Sequence, residues 1–355
     1  LKNSLLPLTA VFAVSMLALT ACGDNGDGDA EDAAANSGDN GTADNSADNG
    51  GNDAAEGVLA TVDHMYGPTE VLAPEDGELR VVALGWSDAE VALALGVEPI
   101  AVHDWLGFGE ETHGVGPWAA DLFNEDPEVI ERSEEIDYEY IQSLDPDLIL
   151  NVNSGYDQAE YDRLAEIAPT ISGPEGAENY NPGWDNQTQL IADALGLSEE
   201  GEELIAETRE KIAAARAEHP EFEGVEAITG SKFGEAYGLS YTGDMRWDLI
   251  EMLGFQMYGP AADMEPDEGF FANVSEEQVE VFDAEVAILF PIGYSLEELE
   301  NDPLIASLDV IREDRAVLLD EGDLSMAFSA GSPLSIELVL DELTPQLAEA
   351  VENLN

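Results

Sequence analysis

Short apolar runs alternate with helix-length amphipathic stretches from residue 58 onward, and this alternation restricts the fold more than any other feature of the chain. Arg80-Val81-Val82-Ala83-Leu84-Gly85 has the pattern of a short buried strand. Ser87-Asp88-Ala89-Glu90 reads as a capping box that opens a helix from Asp88 to Leu95 and stops at Gly96. Glu98-Pro99-Ile100-Ala101-Val102 is a second strand. Asp147 to Val152 is a third, and a helix from Ala159 to Ile167 follows it. Strand, helix and strand at this spacing predict a parallel α/β sheet. From Ser198 to His219 the chain is charged, Ala-rich and helical; about 20 residues at ~1.5 Å each extend some 30 Å, enough to bridge two lobes. Strand patterns restart at Val225-Glu226-Ala227-Ile228 and recur at Glu285 to Phe290 and Ala316 to Leu319, before a closing helix from Ser335 to Leu343. The expected architecture is two Rossmann-like α/β lobes, 58–197 and 220–355, joined by one long helix, 198–219.

The two halves repeat. Asp137-Tyr138-Glu139 enters a helix, passes Leu144-Asp145-Pro146-Asp147 and becomes the strand Leu148-Ile149-Leu150. Ser275-Glu276-Glu277 enters a helix, passes Phe282-Asp283-Ala284-Glu285 and becomes Val286-Ala287-Ile288. An offset of 138 maps Glu139 onto Glu277 and Asp145 onto Asp283. Open α/β sheets bind ligands in the crevice beyond their strand ends, so a ligand cleft is expected between the lobes.

Residues 23–57 are Gly, Asp, Asn, Ala and Ser with almost no large apolar residue, which cannot build a core and reads as an acidic spacer. Ahead of it lies an apolar run from Leu5 to Leu19, preceded by Lys2 and ended by Leu19-Thr20-Ala21-Cys22. The run is too short for a comfortable span and ends in small residues, as a secretory signal does. Cys22 is the only cysteine, so no internal disulfide can form. Its position resembles the bacterial lipoprotein signal, in which the thiol is lipidated and becomes the mature N-terminus. Segment 1–21 is then the signal and 22–57 a lipidated tether on the outer face of the cell membrane.

Asp and Glu total 78 against 11 Lys and Arg, a net charge of −67, which excludes a general nucleic-acid binder. Hydrophobic residues make up 44% of the chain, which argues against disorder for most of it. Lysine is nearly absent beyond the signal, with only Lys211 and Lys232. Acids spread along the whole chain with so little lysine resemble proteins of salt-loving organisms, where screening within ~3 Å at 1 M salt removes self-repulsion.

Four stretches carry a resemblance to a known family: Arg80 to Leu84 with Ala92 to Gly96; Ile141-Gln142-Ser143-Leu144-Asp145-Pro146-Asp147-Leu148-Ile149; Arg246-Trp247-Asp248-Leu249-Ile250 running to Leu253-Gly254-Phe255; and Gly331-Ser332-Pro333-Leu334-Ser335-Ile336. In this order, behind a lipobox, they resemble the substrate-binding proteins of bacterial iron-siderophore ABC importers, over roughly residues 58–352. The resemblance implies a ferric-siderophore ligand, no cofactor, a monomer tethered by lipid, and an ABC permease as partner. It implies permease docking through one glutamate per lobe, at positions matching Glu139 and Glu277. Family ligands lie between the lobes, which nominates Trp86, Trp105, Trp118, Tyr156 and Trp184 from the first lobe. Lys232, Tyr241, Arg246, Tyr294 and Phe328 are nominated from the second. His103, Asp104, Asn153, Tyr180, Tyr237 and Met326 sit in the same loops. Aromatic faces with one or two cations suit a bulky organic chelate with exposed oxygens. So few arginines point to a neutral or weakly charged hydroxamate or mixed chelate rather than a catecholate polyanion.

Cobalamin, haem, zinc or manganese carriers on the same scaffold remain alternatives. His64, His103, His113 and His219 include no pair at helical ligand spacing. No G-x-G-x-x-G follows a strand, no Walker loop occurs, and no cysteine is available as a nucleophile, so an enzyme is not expected.

Overall fold

Three short runs of buried aliphatic residues build the centre of the first lobe. In the computed structural model, which describes residues 57–74, 77–131, 136–234, 236–264, 266 and 269–354, β3 (Val81–Ala83) and β6 (Leu148–Leu150) are buried throughout. They pair in parallel with each other and with β4 (Ala101–His103), β5 (Glu128–Ile130) and β7 (Thr170–Ile171), in the order β5-β4-β3-β6-β7. An all-parallel sheet needs cover on both faces. The cover comes from α1 (Asp88–Ala94), α2 (Pro117–Ala120), α3 (Tyr138–Ser143), α4 (Gln158–Ala165) and α5 (Trp184–Ala194). Cys22, the apolar run before it and residues 23–56 lie outside the described residues.

An antiparallel hairpin precedes this sheet: β1 (Val58–His64) and β2 (Gly67–Leu72), which bury Val62 and Val71 against the lobe. The alternation of Val58, Ala60, Val62 and His64 ahead of Gly67 carries that signal.

The capping box expected at Ser87 does not form. Ser87 takes a left-handed backbone (φ 57°) and makes no side-chain cap. Its hydroxyl donates to the Trp86 and Ala330 carbonyls instead, and Glu90 turns into the interior. Tertiary partners on the other lobe outbid the local cap.

The bridging helix α6 (Ser198–Glu218) is 21 residues long. Gly201, Ile205, Thr208 and Ile212 form its buried stripe, at the three- and four-residue steps of a helix face. It packs on α5 of the first lobe and on α7 (Met245–Met252) of the second.

The second lobe is mixed rather than purely parallel. β8 (Glu226–Phe233) and β9 (Ala236–Ser240) form an antiparallel pair. The short strand β10 (Gln256–Met257) joins β8, and β11 (Phe271–Val274) joins β9. β12 (Val286–Ile292) and β13 (Ala316–Leu318) continue in parallel, giving the order β11-β9-β8-β12-β13. Helices α8 (Gly259–Ala262), α9 (Leu296–Glu300), α10 (Asp309–Arg312) and α11 (Asp323–Ala330) are short. The last, α12 (Pro333–Glu352), greatly exceeds the expected Ser335 to Leu343. Pro333 sits at its first position, where no N–H is needed. Pro345 lies inside it, at a usual cost of about 3 kcal/mol. Leu343, Leu347, Ala350 and Val351 stay buried on both sides of Pro345, and this continuous apolar face holds the helix together.

α12 also packs on α1 and α2, so the lobes meet away from α6 as well. Among the described residues no helix is long and apolar enough to cross a membrane.

Candidate functional site: a cleft at the strand ends

Parallel strands leave their loops at one edge, and the loops after β3, β4 and β6 turn that edge into a cavity of about 950 Å³. Leu84 and Trp86 follow β3, His103 ends β4, and Asn151 and Asn153 follow β6. This volume is in the range of small-molecule sites, roughly 300–1,000 Å³. A narrower slot of about 80 Å³ adjoins it and lies between the lobes. Its first-lobe wall includes Trp184 and Gln187; its second-lobe wall includes Met245, Arg246, Asp248 and Phe270. Trp86, Asn153 and Tyr180 line both spaces.

Aromatic stacking sets the floor. Trp86 lies between Tyr180 (4.6 Å between ring centres) and Trp105 (5.1 Å, interplanar 21°). The chain of rings continues edge to face through Phe108 to Trp118. Tyr180 is 43% exposed and lines the cavity. Such offset and edge contacts are worth about 0.5–1.5 kcal/mol each beyond burial, which holds the wall in place before a ligand arrives.

Two buried carboxylates fix the loops behind that wall. Asp88 accepts the N–H groups of Val152 (2.7 Å) and Asn153 (3.3 Å) and the Gln187 amide (2.7 Å). Full burial raises its carboxyl to about 6, against the opposing effect of these donors. Gly85 is required beside it, because a Cβ there would come within 2.2 Å of the Asp88 carboxylate and 2.9 Å of the Asn153 nitrogen. Glu90 accepts the Trp118 indole N–H (2.7 Å), the Gly116 N–H (3.4 Å) and the Ser332 hydroxyl from the second lobe. Burial raises its carboxyl as well. The ring chain thus starts at the cavity and ends at a polar joint between the lobes.

Three of the nominated ligand residues line these spaces: Trp86, Trp184 and Arg246. The Arg246 guanidinium is engaged by Asp244 in a two-pronged pair (2.7 and 2.6 Å) and lies over the Phe290 ring. Trp105, Trp118 and Tyr156 stand behind the wall rather than in it. Trp105 is 4% exposed, Trp118 bonds Glu90, and the Tyr156 hydroxyl donates to the Val152 carbonyl. Four second-lobe nominations lie outside both spaces. Phe328 is 1% exposed and sits in the core. Tyr241 is buried in the lobe's other core cluster and donates to the Ala261 carbonyl. Lys232 is drawn to Asp302 (2.5 Å), beside the rings of Tyr237 and Tyr294. Tyr294 donates to the Gly234 carbonyl. None of the four lines either space.

Tyr138 and Arg163, which the sequence reading leaves out, face the larger cavity, with the guanidinium carbon 3.5 Å above the Tyr138 ring centre. Their signal is positional: both stand on helices that follow or precede β6. Glu139 and Glu277 are both exposed and both occupy the second position after an N-cap, Asp137 in one lobe and Ser275 in the other. The first opens an α-helix; the second opens a 3₁₀ helix, Glu276–Phe282. Among the described residues no group of three or more His, Cys, Asp or Glu side chains converges to hold a metal ion.

Two α/β lobes joined by a long helix, with a preformed cavity at the strand ends, define a two-lobed solute-binding protein. The chain belongs to the periplasmic binding protein family, whose pattern matches residues 81–322. Among solved structures, a periplasmic solute binding protein from Mycobacterium smegmatis str. MC2 155 is 31% identical with a TM-score of 0.72, over 83% of this chain and 99% of that one. PiaA of Streptococcus pneumoniae TIGR4, solved in complex with ferrichrome, is 25% identical with a TM-score of 0.69, over 83% and 99%. A Bacillus subtilis (strain 168) protein named "Probable siderophore-binding lipoprotein YfiY" is 26% identical over 289 residues, 79% of this chain and 77% of that protein.

Proposed function

We propose that this protein captures a ferric siderophore on the outer face of the membrane and delivers it to the permease of an ABC importer. The observation that carries it is the cavity of about 950 Å³ walled by Trp86, Tyr180 and Tyr138, in a fold shared with a ferrichrome-bound relative. It binds without turnover, as a monomer. Cys22 is its lipid anchor, in keeping with the lipoprotein name of the B. subtilis relative, and 22–57 its tether. Glu139 and Glu277 dock on permease arginines, one per lobe, where charge-assisted hydrogen bonds are strongest. Among the described residues, the guanidiniums lining these two spaces are Arg163 and Arg246, and Asp244 already offsets the second. That favours a neutral or weakly charged hydroxamate chelate over a polyanionic tris-catecholate.

Native mass spectrometry of the protein equilibrated with mixed iron chelates in a volatile high-salt buffer tests this directly. A one-to-one ferric hydroxamate adduct is expected. Retention of a metal-free tetrapyrrole or of bare zinc instead would overturn the assignment. Trp86 and Trp184 give a second readout: ferric hydroxamates should quench fluorescence strongly and ferric tris-catecholates weakly.

A further inference from the structure

One residue that borders both spaces carries a side-chain oxygen without a partner. The Asn153 side-chain oxygen is buried and accepts no hydrogen bond. Everything around it is held. The Asn153 carbonyl accepts the Trp86 N–H (2.9 Å), and its own N–H donates to Asp88. The backbone is therefore fixed on both sides, and the residue borders both ring-lined spaces. A buried acceptor left unpaired costs stability in the empty protein, and such an atom persists where something outside the fold completes it.

The geometry points to Asn153 as the specificity residue of the cleft: its amide oxygen accepts an N–H or O–H carried on the periphery of a chelate held beside Trp86 and Tyr180. This rests on the siderophore assignment above and narrows it to chelates that carry such a donor, a peptide-backbone trihydroxamate among them. The contact also explains selectivity. A ligand lacking the donor would leave the same oxygen unpaired, which discriminates more strongly than a lost apolar contact.

The test compares the wild type, N153L and N153D in high salt. The probe is a ferric cyclic-peptide trihydroxamate read by tryptophan quenching, with melting of the ligand-free protein measured alongside. N153L should bind about tenfold more weakly or worse. It should nevertheless melt no lower than the wild type, because the unpaired acceptor is gone. N153D, which keeps an acceptor oxygen there, should recover most of the affinity. A merely structural asparagine would lower melting in N153L, and that outcome overturns the inference. Wild-type affinity in N153L also overturns it and leaves the siderophore assignment standing. Failure of the wild type to bind any ferric chelate removes both.

Discussion

The two lobes share a kernel and differ in what they do with the edge above it. In the first lobe α3 runs into Asp147 and then β6; in the second, the 3₁₀ helix Glu276–Phe282 runs into Glu285 and then β12. Both acids accept the N–H that opens the neighbouring strand, Arg80 to Asp147 at 2.9 Å and Glu226 to Glu285 at 2.8 Å. An arginine secures each turn through carbonyl oxygens: Arg80 on Leu144 and Asp145, Arg315 on Ala284 and Glu285. Beyond the kernel the lobes part. The first leaves its strand ends open as the cavity. The second adds the antiparallel strands β9 and β11 and knots Lys232, Asp302 and Tyr237 together near the end of β8. The shared part carries Glu139 and Glu277; the divergent part decides where a ligand fits. On the proposed reading, docking is the symmetric job and ligand binding the asymmetric one.

The largest effect should come from attacking the symmetric part. Replacing both Glu139 and Glu277 by Ala should abolish iron uptake in cells and leave ligand affinity unchanged. Each single replacement should give a partial loss, because the two carboxylates occupy equivalent helix positions. If Glu277→Ala were silent while Glu139→Ala removed all uptake, docking would be one-sided.

Lys232 separates packing from ligand binding in the second lobe. Its ammonium and the Asp302 carboxylate are 14% and 8% exposed, so Lys232→Met leaves a charge largely buried and unpaired. Losses on breaking such pairs run to about 3–5 kcal/mol. Denaturant unfolding in high salt should register most of that loss, with ligand affinity within about twofold of wild type. A large drop in affinity would return Lys232 to the binding surface.

Asp88 makes a counterpart test in the first lobe. Its carboxyl is raised to about 6, so between roughly pH 4 and 6 the folded protein holds that proton and the unfolded chain releases it. Stability from this group is present at the acid end and lost as pH rises through 6. Lowering the pH from 7 to about 4.5 should therefore raise unfolding stability by about 2 kcal/mol through this group; the carboxyls of Asp248 and Glu90, raised the same way by burial, add to the trend, and Asp88→Asn should make the profile shallower. An unchanged profile in Asp88→Asn would show that another group governs it.

Elements with local causes were legible in the sequence: the buried β3 and β6, the 21-residue α6, and the repeat that pairs Glu139 with Glu277. Residues whose place depends on a distant partner were not. Ser87 and Glu90 read as a cap because four adjacent residues fit one. The donors that claim them, Ser332 and Trp118, and the Ala330 carbonyl lie far along the chain. Aromatic residues in loops marked the right edge of the first lobe. They could not distinguish Trp86, which faces the cavity, from Trp105, which supports it from behind. In so acidic a chain Lys232 and Arg246 find carboxylates of their own, whereas Arg163 settles on the Tyr138 ring.

That last contrast yields the smallest and most local expectation. In the second lobe Lys232, Arg246, Arg312 and Arg315 each bridge to an acid. The first lobe's described arginines, Arg80 and Arg163, rest on carbonyls and on a ring, so its carboxylates lack comparable Lys or Arg countercharge from within the lobe. Exposed ion pairs are worth only about 0–1 kcal/mol each, so the difference between lobes should be modest. Its direction is nevertheless set. Solvent cations screen the first lobe's acids, and that screening shrinks as the Debye length grows from ~3 Å at 1 M to ~30 Å at 0.01 M. On stepwise dialysis to low salt, amide hydrogen exchange should quicken first in β3, β4 and β6, and only later in β8 and β12. Simultaneous loss would mean that the lobes unfold as one cooperative unit through the Glu90–Ser332 joint. Earlier loss in the second lobe would sink the charge argument.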